Sequence, residues 1–304
     1  MNISILLIQI GIMAALIITG ILIKRQGSLS ALTSSDLTNI LLYVVSPCLI
    51  IKSFEMKFSP SYLTELGLIG FSLIIFYVIE IIVSWLIFSH TSSGKTAKVL
   101  AFASIYSNAG FMGIPLVQSL LGSTGVFYAS ISLAIYNIFN WTHGVSMFHH
   151  ANDRRESLIS LVKNPNIWAV VVGLVIFMNN IQLPSPINQF LTDISYLNTP
   201  LAMFVVGANL ASVRLNHQYL GGNLWLSILL RNVLFPVIMI ILLRLFSVSS
   251  TGALTTVLMA ACPTASLVVL FSVQYHSDTK QAIPLFGIST LLCLVTLPLI
   301  YVFT

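Results

Sequence analysis

Two short runs of this sequence combine prolines, glycines and small polar side chains in a pattern that suits the binding of an anion. Their candidate substrate-binding residues are Asn108, Gly110, Gly113, Pro115, Pro263, Thr264 and Ser266. A proline inside a helix removes one backbone hydrogen bond and opens the preceding turn. The N–H groups that begin the next helical segment, together with the helix dipole, then favour a negative group such as a carboxylate. We expect Asn108 to donate its side-chain amide to that group, and Thr264 and Ser266 their hydroxyls; the alternative is that Asn108 only stabilises its own helix.

The composition places both runs inside a lipid bilayer. Of the 304 residues, 57% are hydrophobic and 7% are Asp, Glu, Lys or Arg, whereas soluble domains carry about 25% charged residues. So few charges cannot cover a water-exposed surface, which excludes a cytosolic enzyme and a nucleic-acid binder. The net charge of +5 comes from basic residues in short connections, where they act as topology signals.

No cofactor or metal is expected. Cys48, Cys262 and Cys293 lie in apolar runs without a CxxC pair, so we interpret them as packing residues. The His149-His150 pair precedes Asp153 in the central polar stretch, but adjacent histidines do not share a helix face, which favours a solvated loop. No His-Glu-x-x-His or Gly-x-Ser-x-Gly motif occurs, so we do not expect an enzyme.

Apolar runs predict an all-α integral membrane protein with ten spans, each near the length of about 20 residues that crosses a bilayer. The runs are 3–23, 37–51, 63–88, 99–121, 126–147, 166–181, 187–210, 224–245, 254–273 and 282–303. The first run ends in Lys24-Arg25, the reverse of the charge order of a signal peptide, so its N-terminus is expected outside. Nine basic residues then fall on inner connections and three on outer ones, as expected for a plasma-membrane protein with both termini outside.

Prolines recur at matching positions in the two halves of the chain. The predicted helix breaks are Ser46-Pro47 in span two, Pro115 in span four, Thr199-Pro200 in span seven and Pro263 in span nine. Pro47 and Pro200 are 153 residues apart, and Pro115 and Pro263 are 148 apart. The predicted division is 1–148 for a first five-helix repeat, 149–165 for a cytoplasmic linker and 166–304 for a second repeat. Because five is odd, the second repeat is inverted, which is typical of secondary transporters; ordinary proline kinks are the alternative.

Two ionisable residues lie deep in predicted spans, Glu80 in span three and Arg231 in span eight. They precede Pro115 and Pro263 by similar distances, so they occupy similar places in the two repeats. Intramembrane charge is costly and indicates function, here proton coupling by Glu80; exposure to a water-filled vestibule is the alternative. Sodium is the less expected coupling ion because neither broken run contains Asp or Glu, although backbone carbonyls alone could bind it.

The run Ser107-Asn108-Ala109-Gly110-Phe111-Met112-Gly113-Ile114-Pro115-Leu116 resembles the fourth-helix motif of the auxin efflux carrier family. Similar matches are 43–47 in span two, 200–210 in span seven and 261–265 in span nine. The resemblance covers essentially the whole chain. It implies inverted five-helix repeats, with a scaffold domain of helices 1, 2, 6 and 7 and a transport domain of helices 3–5 and 8–10. In the transport domain, helices 4 and 9 cross at the midplane.

The resemblance also implies roles for single residues. The family asparagine that matches Asn108 contacts a substrate carboxylate, and prolines that match Pro115 and Pro263 mark the crossing. Glycines such as Gly110, Gly113 and Gly207 would permit close backbone approach there. Span ten lacks the charged residue associated with plant members, and Arg231 is its candidate replacement.

The expected function is therefore a secondary transporter that moves a small organic anion, a carboxylate such as malate or malonate, by alternating access. The short central loop favours the compact prokaryotic type of carrier. The alternatives are an exporter of auxin-like aromatic carboxylates and a transport-inactive receptor on the same fold. The family also implies a homodimer, which the chain itself does not show.

Overall fold

The computed structural model describes residues 3–92, 94–148, 159, 162–211, 213 and 219–304. Most of the predicted linker at 149–165 lies outside the described residues, as do the His149-His150 pair and Arg214.

Helices make up the described structure, and within it the prediction of an all-α protein is confirmed. The named helices are α1 (Ile3–Arg25), α2 (Ala31–Ile40), α3 (Ser46–Ser53), α4 (Pro60–Thr91), α5 (Gly94–Ile105), α6 (Ile114–Phe139), α7 (Pro165–Met178), α8 (Ser185–Tyr196), α9 (Asn198–Ala211), α10 (Gly222–Leu229), α11 (Phe235–Leu245), α12 (Ser250–Ala260), α13 (Leu267–Gln274) and α14 (Thr279–Val302). Wider π-helical turns occur at Leu41–Val45, Ala109–Gly113, Asn140–Gly144 and Leu230–Leu234. No β-strand occurs among these residues, only an isolated antiparallel bridge between Ser107 and Thr264.

Among the described residues, seven helical stretches are long and apolar enough to cross a bilayer. They are Ile3–Arg25, Leu32–Ser53, Pro60–Thr91, Ala109–Gly144, Ser185–Ala211, Gly222–Leu245 and Thr279–Val302. Shorter apolar helices are Pro165–Met178 and Thr251–Ala260. The 36-residue stretch Ala109–Gly144 contains Gly122, whose backbone angles (φ 60°, ψ −149°) are not helical. That the chain spans the membrane ten times, and that its second half is inverted relative to the first, stay predictions.

Three of the π-helical turns end directly before an X-Pro pair. In each, the N–H of the residue before the proline donates to a carbonyl five residues earlier; the pairs are Ser46 to Leu41, Ile114 to Ala109 and Phe235 to Leu230. A proline ring clashes with the carbonyl four residues before it, and the wider turn relieves that clash. The expected break at Ser46-Pro47 is therefore a widened turn inside the continuous helix Leu32–Ser53.

Pro200 also differs from the expectation of an interrupted helix. It is the third residue of α9, and α8 ends just before that helix at Tyr196. The first helical turn tolerates a proline because its N–H groups have no partner within the helix. Thr199-Pro200 therefore marks a helix start.

Helices of the predicted scaffold pack closely on each other. The first segment, α1, packs along α9, while α3 packs on α7 and α8. A Cβ atom on Gly207 would overlap the carbonyl oxygen of Ile17, and one on Gly20 would lie 2.6 Å from the carbonyl oxygen of Phe204. Gly207 therefore serves the contact of α9 with α1, and the expectation that it lies at the crossing is wrong, because its backbone packs against α1.

Candidate functional site

The chain leaves helical geometry at two places that lie against each other. The first is 106–108, between α5 and the turn that precedes α6, and the second is 261–266, between α12 and α13. The N–H of Asn108 donates to the carbonyl of Pro263 at 2.7 Å, and the N–H of Ala265 donates to the carbonyl of Tyr106 at 2.8 Å. Buried backbone groups need partners. Each interruption therefore supplies hydrogen bonds that the other lacks. We call this contact between 106–108 and 261–266 the crossing.

Thr264 ties the second interruption to α5 and to α14. Its hydroxyl donates to the carbonyl of Ala103 at 2.9 Å, and its N–H donates to the hydroxyl of Ser289 on α14 at 2.9 Å. Ser289 in turn donates to Oδ1 of Asn232 at 2.7 Å, and Nδ2 of Asn232 donates to the carbonyl of Ser289 at 2.9 Å. The hydroxyl of Thr264 thus stabilises the crossing in this structure.

A cavity of about 250 Å³ opens beside the crossing. Four residues singled out from the sequence line it, namely Ser46, Asn108, Gly110 and Ser266. The other lining residues with polar side chains are Tyr43, Tyr136, Asn137, Trp141, Lys163, Asn164, Asn166 and Asn198. Gly113, Pro115, Pro263 and Thr264 pack within the crossing and are not among the lining residues.

Asn108, which lines this cavity, is buried. Its side chain is 3% exposed, and within the described part of the chain its Nδ2 atom has no hydrogen-bond partner. The same holds for Nδ2 of Asn137, which is also buried. A buried amide without a partner carries a desolvation cost of about 1–3 kcal/mol. A ligand that accepts hydrogen bonds would remove this cost.

Four helical segments begin at the cavity. Asn108 precedes the segment that starts at Ala109, Asn164 is the N-cap residue of α7, Asn198 is the first residue of α9, and Ser266 is the N-cap residue of α13. Helix N-termini carry a partial positive charge and present free N–H groups. Lys163 is the cationic side chain among the described lining residues, and it is exposed. The site therefore has the electrostatics of an anion-binding site.

Glu80 and Arg231 meet away from the cavity. Nη1 of Arg231 lies 2.9 Å from Oε1 of Glu80, and both side chains are almost fully buried. The sequence predicted that Glu80 and Arg231 occupy similar places in the two repeats, and the structure adds that they form an ion pair. Neither is a lining residue of the cavity.

The sequence model of the family described as membrane transport protein matches residues 5–158 and 154–301. The chain belongs to this family. The resemblance to auxin efflux carriers is thereby confirmed.

Relatives of this membrane transport protein occur in archaea and bacteria. An uncharacterized transporter of Methanothermobacter thermautotrophicus is 26% identical over 290 residues, 93% of each chain. The uncharacterized transporter YfdV of Escherichia coli K12 is 24% identical over 218 residues, 68% of each chain. A Rhizobium meliloti protein that is named, provisionally, as a malonate transporter is 24% identical over 219 residues, 69% of this chain and 68% of its own.

The family and the seven apolar stretches identify a multi-pass integral membrane protein of a transport family, not of an enzyme family. The orientation of its termini stays a prediction.

Sequence reasoning missed several lining residues of this membrane transport protein. Asn137 lies in an apolar span, where a polar residue is itself a signal. Asn164 directly precedes Pro165 at a helix start, a recognisable N-cap pattern, and Asn198 is the first residue of α9, two before Pro200. In the sequence, Lys163 indicated only which side of the membrane its connection faces, and nothing in its local sequence indicates that it lines a cavity.

Proposed function

We propose that this protein is a secondary transporter that carries a small organic anion, a carboxylate such as malate or malonate, across the plasma membrane by alternating access. One observation carries the proposal: the unpartnered, buried amide of Asn108 lies at a cavity where four helical segments begin. A carboxylate accepts hydrogen bonds and is attracted to positive helix ends. The name of the Rhizobium meliloti relative supports a small dicarboxylate.

The origin of the lining residues supports alternating access. Ser46, Asn166 and Asn198 come from the segments of the predicted scaffold, helices 2, 6 and 7. Asn108 and Ser266 come from the predicted transport domain, helices 4 and 9. A substrate held between two such bodies is exposed to one side or the other when they shift. We propose ten spans in inverted repeats, 1–148 and 166–304, with both termini outside, and a homodimer through the scaffold.

Proton coupling is part of this proposal, with Glu80 as its candidate group. Uptake into proteoliposomes with and without an imposed pH gradient tests it. A Glu80→Gln variant that folds and keeps the full response to the gradient would remove Glu80 from this role.

The experiment that tests the carrier is uptake of radiolabelled malate and malonate into proteoliposomes, with Asn108→Ala as the probe. A hydrogen bond to a charged group contributes about 1.5–3 kcal/mol, so the variant should bind substrate about 10- to 150-fold more weakly. Its thermal stability should change little, because the amide lacks a partner before substrate binds.

Asn140→Ala is the matched control for Asn108→Ala. Asn140 is fully buried, its side-chain amide also has no partner among the described residues, and it does not line the cavity. This control should keep wild-type uptake. Absence of dicarboxylate uptake by the wild type, or equal uptake by Asn108→Ala and wild type, would overturn the proposal.

A further inference from the structure

Arg231 lies at the point where two interrupted helices end. Helix α5 ends at Ile105, and α12 ends at Ala260. Nη1 of Arg231 donates to the carbonyl of Ile105 at 2.5 Å and to that of Ser104 at 3.2 Å. Nη2 donates to the carbonyl of Ala260. One guanidinium therefore bonds the carbonyl ends of both helices.

This place has the chemistry of a cation site. The last carbonyls of a helix have no partner within it, and the C-terminal end carries a partial negative charge. Two such ends meet here, and the Glu80 carboxylate adds a full negative charge at 2.9 Å from Nη1. In transporters with discontinuous helices, freed carbonyls and helix C-terminal ends are the groups that coordinate coupling ions such as sodium.

We propose that the guanidinium of Arg231 is the resident cation of this oxygen-lined site. It occupies the site as a tethered substitute for a metal ion, with Glu80 as its counter-charge. Arg231 is thus a positioning residue: it holds α5 and α12 in place, and through them Asn108 and Ser266 at the cavity. The site takes no cation from solution, so the transport cycle does not use sodium; this last consequence rests on the proposed carrier function.

Geometry separates this role from substrate binding. The side chain of Arg231 is 1% exposed, and it is not among the lining residues of the cavity. Its planar fork suits a role in which one cation contacts carbonyls from two helices and a carboxylate from a third. The proposed substrate anion binds instead where helical segments begin, after Asn108 and Ser266, and not where α5 and α12 end.

Removal of the side chain tests the site directly, by chemical rescue. Arg231→Ala should unfold at a lower temperature than wild type in choline chloride, because Glu80 and three carbonyls lose their partner. Guanidinium at millimolar concentration should then raise the melting temperature of the variant in a saturable manner and restore at least half of the loss. Sodium chloride at equal ionic strength shows whether the emptied site also accepts a metal ion.

Arg244→Ala is the matched control, since Arg244 donates to the carbonyl of Phe303 at an exposed position. The melts are recorded without substrate, so they do not depend on the proposed carrier function. If guanidinium and sodium stabilise Arg231→Ala no more than Arg244→Ala, the proposal is overturned.

A second pair of variants covers the case in which Arg231→Ala does not fold. Arg231→Lys keeps a cation and Arg231→Met is a neutral side chain of similar length. The lysine variant should melt above the methionine variant; the reverse order contradicts a cation site. In addition, malate uptake by wild type should be unchanged when choline replaces sodium, and a requirement for sodium would overturn the last consequence.

Discussion

The backbone N–H of Asn108 donates to the carbonyl oxygen of Pro263 at 2.7 Å. Asn108 belongs to the first interruption and Pro263 to the second, so this bond joins the two interruptions directly. The backbone of Asn108 is therefore fixed by the crossing, while its side-chain Nδ2 has no partner among the described residues. A ligand bound by Asn108 is coupled to both interrupted segments.

The first prediction concerns Ser289, which bridges the crossing to Asn232. Ser289→Ala removes the partner of the Thr264 N–H and of Asn232 Oδ1, and each buried group left without a partner costs about 1–3 kcal/mol. The melting temperature should fall clearly. Thr290→Val, next along the same helix, loses only a bond to the Phe286 carbonyl in its own helix and should cost less. Equal effects of the two substitutions would contradict the assigned role.

The second prediction concerns the contact between α1 and α9. Gly207→Ala introduces a Cβ atom that overlaps the Ile17 carbonyl, and overpacking of this kind costs typically about 1–3 kcal/mol. Gly11→Ala is the control, because a Cβ there meets nothing within 4 Å and alanine favours a helix interior. Thermal unfolding should show a loss for Gly207→Ala only. An unchanged melting temperature for Gly207→Ala would mean that α1 and α9 are not held this closely.

The third prediction concerns Lys163 at the cavity. Lys163→Gln removes an exposed positive charge, and such exposed interactions contribute up to about 1 kcal/mol, so the KM of uptake should rise by up to about fivefold. The KM of the variant should also depend less on ionic strength, since the screened charge is gone. Lys98→Gln, which removes an exposed lysine outside this cavity, should leave the KM unchanged. A similar KM increase in both variants would point to the general surface charge instead.

The fourth prediction concerns the ion pair of Glu80 and Arg231. Glu80→Gln leaves a buried guanidinium without its counter-charge, which typically costs about 3–5 kcal/mol. The double variant Glu80→Gln/Arg231→Met has no buried charge left to compensate. Its loss of stability should be smaller than the sum of the two single losses, as measured in a double-mutant cycle. Additive losses would show that the two side chains do not interact energetically.

The sequence predicted features that depend on residue type and local order. An apolar chain with few charges belongs in a bilayer, and X-Pro pairs show where helical hydrogen bonds are lost. Asn108 and Ser266 followed from this reasoning, because each lies where a helical segment begins. Whether a proline interrupts its helix or only widens one turn was not predictable in the same way. At Pro47 a π-helical turn absorbs it, whereas near Pro263 a second segment supplies the missing bonds.

Only the tertiary structure decided which distant residues meet. Arg231 and Glu80 are separated by 151 residues, and their similar places in the two predicted repeats do not by themselves imply a contact. Lys163, Asn164 and Asn198 reach the same cavity as Asn108 because helices from both halves begin there. The physical reason is that helix formation depends on near neighbours in the chain, whereas a binding site depends on packing between segments. The sequence determined the membrane and the helices, and the packing determined which residues line the cavity and which groups surround Arg231.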